Sequence, residues 1–485
     1  MTTLRSFLPP QKSATASLLT LLALLLSACT VGPDYVRPEI HSTAQFKENK
    51  GWLQVAPHTA QSPGDWWTVF NDATLNELEP QVATANQSLR ASYYAYQQAL
   101  ALTSSAKAGE WPTLGASVSS TRSKSPATGK ITEDSLSFTA SWAPDFWGKV
   151  RQQVSANEAS AQASEENMLA AQLSLQTGLA QNYFQIRQLD GQVALQRDAV
   201  TAYEKSLQLT QNRYAAGIVS KSDVVQAELQ LANARVSATR LGVQRSQLEH
   251  AIAVLIGKTP SEFNLPEATG LPEPQVISVG LPSQLLLRRP DLLAAERQMA
   301  AANAQIGVAE SAYFPALTIS ASDGWRSNTF SNLVSAPNSF WSIGPALAAT
   351  LFDGGAHSAQ VAQSKGAYEQ VVAQYRQLSL QAFQQVEDQL AAMRILANAA
   401  QLQQQAVSAA DDALRMVTNS YKAGTVSYLN VLIAQTAAYT AHDSALQIAG
   451  QRLTANIALI QALGGKWGDE ASAAENTNTQ KTPQK

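Results

Sequence analysis

The chain has 485 residues, 45% of them hydrophobic, enough for a sizeable buried core. Charged residues make up only 15%, against a usual value of about 25%, and the net charge of −3 carries no signature of a nucleic-acid binder. The body of the chain holds no run of 18 apolar residues, which argues against a transmembrane helix.

The N-terminus reads as a targeting segment. Arg5 and Lys12 are its only charges before Asp34, and an apolar stretch from Leu18 to Leu26 is interrupted only by Thr20. That length suits the h-region of a signal peptide. It ends in Leu26-Ser27-Ala28-Cys29, which resembles a bacterial lipobox. Residues 1–28 are therefore expected to be a lipoprotein signal peptide, with Cys29 carrying N-acyl and S-diacylglycerol lipid. The alternative is an ordinary signal peptide with an incidental cysteine. Cys29 is the only cysteine, so no intrachain disulfide can form. Residues 29–70, rich in Pro and Gly, read as an extended segment leaving the anchor.

The rest of the chain is a two-fold repeat, expected at 71–265 and 288–463, joined by a linker at 266–287 and followed by a flexible tail at 464–485. Leu89, Ala91, Ala99, Ala106 and Pro112 recur as Leu292, Ala294, Ala302, Ala309 and Pro315. Each copy opens with an Ala-rich helix, roughly 86–109 and 289–312, that stops before Trp111-Pro112 or Phe314-Pro315, because the residue before Pro avoids helix. Two strands with alternating apolar residues follow, about 113–121 and 135–143 in the first copy and 316–323 and 340–351 in the second. Polar loops are expected at 120–134 and 323–338. Then no proline interrupts the chain from Gly148 to Gly217 or from Gly355 to Ala423. A helix of that length, roughly 100 Å, calls for coiled-coil support. Val225, Leu229, Ala232, Val236 and Val243 on the descending helix supply the expected seam.

The segment "NRYAAGIVSKSDVV" at 212–225 returns as "NSYKAGTVSYLNVL" at 419–432. Gly217 and Gly424 can end a helix in the left-handed conformation, and Ser220 and Ser427 can cap the next. Each copy thus builds an antiparallel helical hairpin with a tight tip. Four strands are too few for a membrane barrel, which needs about eight. Either they form a soluble sheet or several chains share one barrel.

Several segments resemble the outer membrane factor family, the TolC-like exit ducts of tripartite efflux systems, in its NodT-type lipoprotein branch. They are "CTVGPDYVRP" from Cys29, "DWWTVFNDATLNEL" from Asp65, "RRPDLLAAERQMAAANAQIGVAESAYFPALTIS" from Arg288, both tip motifs, and "FDGG" at 352–355. The resemblance covers about residues 29 to 465. It implies a mainly α fold with a small β part: long hairpins forming a periplasmic α-barrel, and four strands per chain completing a twelve-stranded outer-membrane barrel in a homotrimer. It implies a non-enzymatic duct for drugs or other small toxic compounds, working with a periplasmic adaptor and an inner-membrane pump of the RND type. The alternatives are the duct of a type I protein-secretion system and a lipid-anchored periplasmic coiled-coil scaffold.

The residues expected at the adaptor-docking tips are Gly217, Val219, Ser220, Gly424, Val426 and Ser427; the alternative is that they are only turn-makers. The resemblance puts an apolar gate just past the second tip, at Leu429 and Ile433, although Leu429 could equally be core. Relatives often carry Asp-Ala-Gln-Arg here, where this chain has Ile433-Ala434-Gln435-Thr436. The five His residues are scattered, no metal site or phosphate-binding glycine loop is expected, and pairs such as Asp411-Asp412 and Glu165-Glu166 read as solvated charges.

Overall fold

The computed structural model describes residues 31–40, 45–49, 65–126, 129–275, 277 and 288–465. The expected signal peptide, Cys29, part of the 266–287 linker and residues 466–485 lie outside the described residues. In chain order the long elements are α1 (Ala73–Ala85), α2 (Gln87–Ala108), β1 (Thr113–Ser125), β2 (Gly129–Trp142), α3 (Lys149–Ala215) and α4 (Lys221–Leu255). The second half supplies α5 (Pro290–Ser311), β3 (Ala316–Ser327), β4 (Ser339–Ala348), α6 (Ala356–Lys422) and α7 (Tyr428–Ala462). The fold is mainly helical with one small sheet. Among the described residues no helix is long and apolar enough to cross a membrane.

The chain forms two compact units. The first contains residues 31–39, 95–165 and 294–375, and with them the sheet. Its strands run in the order β1-β2-β3-β4, every pair antiparallel. Cross-strand partners share a face. One face carries the row Leu114, Ala140, Ala321 and Ile343, then Ala116, Phe138, Asp323 and Trp341, then Val118, Leu136 and Trp325. The other carries Gly115, Thr139, Ser322 and Ser342, then Ser117, Ser137 and Gly324.

The strands of the first pair are longer than alternation indicated. Residues 120–125 and 129–134, read as loop, belong to them. The backbone ladder continues unbroken to Ser125 and Gly129; just below these ends Ser117 and Ser119 meet Ser137 and Ser135 across the strands, each with 2.8 Å between hydroxyls. β4 in contrast stops at Ala348, so Ala349 and the fully exposed Leu351 fall outside it.

Residues 31–37 are strapped onto this unit. The Tyr35 hydroxyl donates to Glu296 Oε1 at 2.8 Å, Asn303 Nδ2 donates to the Pro33 carbonyl at 2.8 Å, and Arg37 Nη2 donates to the Tyr375 hydroxyl at 2.9 Å. Trp147 stacks on Phe314, with ring centres 4.8 Å apart, and its Nε1 donates to the Pro315 carbonyl at 2.7 Å.

The second unit contains residues 45–49, 65–94, 166–275, 277, 288–293 and 376–465. Its core joins Trp66, Trp67, Phe70, Leu75 and Val82 to Leu179, Phe184, Ile252, Leu390, Leu453 and Ile460. The expected extended segment therefore ends in a buried 3-10 turn, Trp66–Phe70, whose tryptophans anchor the core. α1 starts on a genuine cap: Asp72 Oδ1 accepts from the Leu75 amide at 2.9 Å.

Arg289 ties α5 to the end of the second hairpin. Its guanidinium donates to both carboxyl oxygens of Asp291, to Gln385 Oε1 and to the Ala462 carbonyl. The start of the expected linker is docked rather than free. Asp190, buried, takes Arg245 Nε at 2.7 Å and the Ala268 amide at 3.1 Å, while Arg187 Nη1 donates to the Pro266 carbonyl at 2.8 Å.

Candidate functional site at the hairpin tips and seams

The two hairpins match residue for residue. α3 and α6 both span 67 residues, α4 and α7 both span 35. Every start and end in the second hairpin lies 207 positions after its counterpart: 149 and 356, 215 and 422, 221 and 428, 255 and 462.

Both ascending helices end in the same hydrogen-bond pattern. At the first tip the Ile218 amide reaches the Arg213 carbonyl at 2.9 Å and the Gly217 amide reaches Tyr214 at 2.9 Å. At the second, Thr425 reaches Ser420 at 3.0 Å and Gly424 reaches Tyr421 at 3.0 Å. This Schellman closure needs a left-handed residue, and Gly217 and Gly424 both sit at φ 79°.

The caps differ. Ser220 forms a reciprocal box with Asp223: the Asp223 amide donates to Ser220 Oγ, and the Ser220 amide donates to Asp223 Oδ2 at 3.1 Å. The expectation of a matching side-chain cap at Ser427 is corrected, since it makes none despite an extended cap backbone. Asn430 stands where the first copy has Asp223, and the anionic half of the box is missing. Thr425 Oγ1 instead donates to the Ser420 carbonyl at 3.0 Å, closing the end of α6.

The tips also touch each other. Arg213 lies over the Tyr421 ring, 4.5 Å from its centre, and its Nη1 donates to the Tyr421 carbonyl at 2.6 Å. Ala227, Tyr421, Tyr428 and Val431 form a small core beneath. Burial pushes the Tyr428 hydroxyl above its ordinary pKa. These tyrosines escaped sequence reasoning, although the repeated Tyr of the two motifs was a usable signal. The repeat hides an asymmetry: Tyr421 is 3% exposed, while its counterpart Tyr214 is 46% exposed.

Of the expected tip residues, Gly217, Ser220, Gly424 and Ser427 are exposed, and Val219 and Val426 are half-buried. Ile218, 63% exposed, was missed; it is an apolar residue left outside the closure. Leu429 and Ile433 are 51% and 60% exposed, so neither is core within one chain. The acidic pair at the hairpin is engaged: Asp411 meets His442 Nε2 at 3.0 Å, and Asp412 meets Arg415 at 2.8 Å.

The expected seam on α4 needs correcting to the neighbouring face of the helix. The residues turned inward are Val224, Ala227, Leu231 and Ala234, at steps of three and four. Val225, Leu229, Val236 and Val243 are instead 50–60% exposed. α4 thus carries two apolar stripes, and among the described residues only one is covered. α6 bears a matching open stripe: Ile395, Leu402 and Met416, each more than half exposed and spaced by sevens.

The equivalent faces of the other two helices are already joined. α7 packs on α3 through Tyr439 and Tyr203, with ring centres 5.6 Å apart, and through Asp443, whose Oδ1 accepts from Gln192 Nε2 at 2.7 Å. Gly450 faces Gln188 and Leu446 faces Gly191 in the same interface. Between the four long helices runs a cleft of about 860 Å3 lined by glutamines, among them Gln185, Gln188, Gln244, Gln389 and Gln447. Its lining side chains carry no charge, and the nearby Asp443 carboxylate accepts from Gln192 and Gln447.

The chain thus combines two helical hairpins with a four-stranded antiparallel sheet that has one apolar and one hydroxyl-rich face. The family model for Outer membrane efflux protein matches residues 79–258 and 281–465, and the chain belongs to that family. It is 30% identical over 462 residues to outer membrane protein OprJ of Pseudomonas aeruginosa, covering 93% of this chain and 96% of OprJ. It is 28% identical over 452 residues to the cation efflux system protein CusC of Escherichia coli O6:H1, covering 92% and 97%. The solved outer-membrane channel OprN superimposes with a TM-score of 0.84 at 27% identity, over 90% of this chain and all of OprN. The protein is an outer-membrane efflux channel.

Proposed function

We propose that three copies of this chain form the exit duct of a tripartite pump, conducting small toxic compounds passively from a periplasmic adaptor and an inner-membrane pump of the RND type. The observation that carries the assembly is the pair of uncovered stripes on α4 and α6. Within the chain α7 packs on α3, so the repeat predicts that α4 of one copy packs on α6 of the next in the same register. Shifting the observed contacts by 207 positions sets Val243 against Ile395, Val236 against Ala399, and Ala232 against Ala410. Burying each large aliphatic side chain contributes about 1.5–3 kcal/mol. Such a head-to-tail interface closes into a ring of three when each copy is rotated by one third of a turn from the last. Three sheets of four strands then give the twelve strands of a barrel, which removes the open edges of β1 and β4.

In this reading the tip residues Gly217, Val219, Ser220, Gly424, Val426 and Ser427 form the adaptor-docking surface, joined by Ile218. Leu429 and Ile433 form an apolar constriction, Cys29 carries the lipid anchor, and no step is catalytic. The glutamine lining of the cleft suits neutral or weakly charged solutes. The test is paired. Purified protein in a planar bilayer should give unitary conductance, and a strain lacking the gene should regain resistance from wild-type but not from tip-disrupted protein. Conductance without any effect of tip substitutions on resistance would remove the docking assignment.

A further inference from the structure

The apolar face of the sheet does not end at its last apolar row. Beyond Val118 and Leu136 the same face continues through Ser120 and Asp134, then Arg122 and Thr132, then Lys124 and Lys130. Lys124 and Lys130 are direct cross-strand partners, and all three cations are exposed. Like charges directly opposite one another destabilise a strand pair.

Nothing among the described residues neutralises them. Arg122 Nε donates only to Thr132 Oγ1 at 3.3 Å, and Asp134, one row nearer the apolar band, is buried and forms no ion pair with it. Arg326, on the opposite face, is a useful contrast: it pairs with Glu133 at 3.4 Å and lies over the Phe340 ring at 5.2 Å.

We infer that Arg122, Lys124 and Lys130 form a docking patch for the phosphorylated headgroups of outer-leaflet lipid. The inference rests on the proposed barrel, with its apolar face turned to lipid. Position decides the occupant. Strand residues rise about 3.3 Å each, so Arg122 lies ~13 Å and Lys124 ~20 Å along β1 from Val118. With the usual tilt of about 40° these become roughly 10 and 15 Å along the membrane normal. The headgroup layer begins where the apolar band ends, and long basic side chains bend back toward it. A lipid phosphate there offsets the repulsion between Lys124 and Lys130 at the depth where the side chains arrive.

The test uses full-length protein in uncharged detergent, with its thermal midpoint titrated against bisphosphorylated lipid A, the same glycolipid without phosphates, and inorganic phosphate. Wild-type protein should be stabilised by the bisphosphorylated lipid alone. The triple substitution R122Q/K124Q/K130Q should weaken the apparent affinity about 100-fold, or roughly fivefold per cation. Equal affinity in wild-type and triple variant, equal stabilisation by the dephosphorylated lipid, or equal stabilisation by inorganic phosphate each overturns the proposal. Unitary conductance of the same preparations reports the barrel separately. Conducting protein with no difference between variants discards the patch and leaves the barrel standing; protein that never conducts discards the barrel first and the patch with it.

Discussion

Glu79 is a costly residue in the second unit. It is fully buried in α1, and neither carboxyl oxygen has a hydrogen-bond partner among the described residues. Burial pushes its pKa from 4.5 up to about 9. Below about pH 4.5 the group is protonated whether folded or not, and the penalty is absent. Between the two values the folded protein holds a proton the unfolded chain releases, so stability falls as pH rises. At pH 7 the difference is on the order of 3 kcal/mol. The thermal midpoint should therefore drop between pH 5 and pH 9, and Glu79→Gln should flatten that slope and stabilise the protein at pH 8. An unchanged slope in Glu79→Gln would assign the effect elsewhere. Gly424 permits a second test. Proline would remove the amide that meets the Tyr421 carbonyl and cannot reach φ 79°. Gly424→Pro should abolish efflux in a resistance assay while the assembly survives purification; normal resistance would count against docking at the tips. At this scale the sequence made Gly217, Gly424 and Ser220 readable, because backbone sterics restrict the choice of residue. It did not reveal the lost cap at Ser427, which turned on Asn430 three residues away.

At the scale of elements, periodicity located the long helices and both hairpins, since proline is absent along them and a turn glycine marks each tip. Periodicity could not choose between two apolar stripes on α4. Val224 and Val225 are adjacent, each begins a three-four pattern, and only packing shows which one the chain buries. The ends of β1 and β2 were misread for a related reason: serine, threonine and charged residues mark loops in general, yet here they continue both faces of a paired ladder. Trp66 and Trp67 were legible only as part of a motif, because one short 3-10 turn has no period. The gate assignment belongs to α7. Leu429 and Ile433 lie one turn apart and are both exposed. Leu429→Ala should raise resting conductance in a planar bilayer severalfold, whereas unchanged conductance would place the constriction elsewhere.

The whole molecule is asymmetric in one telling respect. Two equal hairpins leave one stripe uncovered on α4 and another on α6, while the corresponding faces of α7 and α3 are joined. In the proposed assembly a neighbouring copy covers the second of these two equivalent interfaces. Val236→Asp should put a charge into that interface and dissociate the assembly without unfolding the chain, as read by sedimentation and circular dichroism; an intact assembly would show that α4 does not form the contact. The register is equally open to test, since Val243→Cys and Ile395→Cys together should yield an interchain disulfide under mild oxidation. The most direct measurement is the native mass of wild-type protein extracted from outer membranes. Three chains per particle is the expected result, and a stable particle of one chain with the α4 and α6 stripes still open to solvent would contradict it.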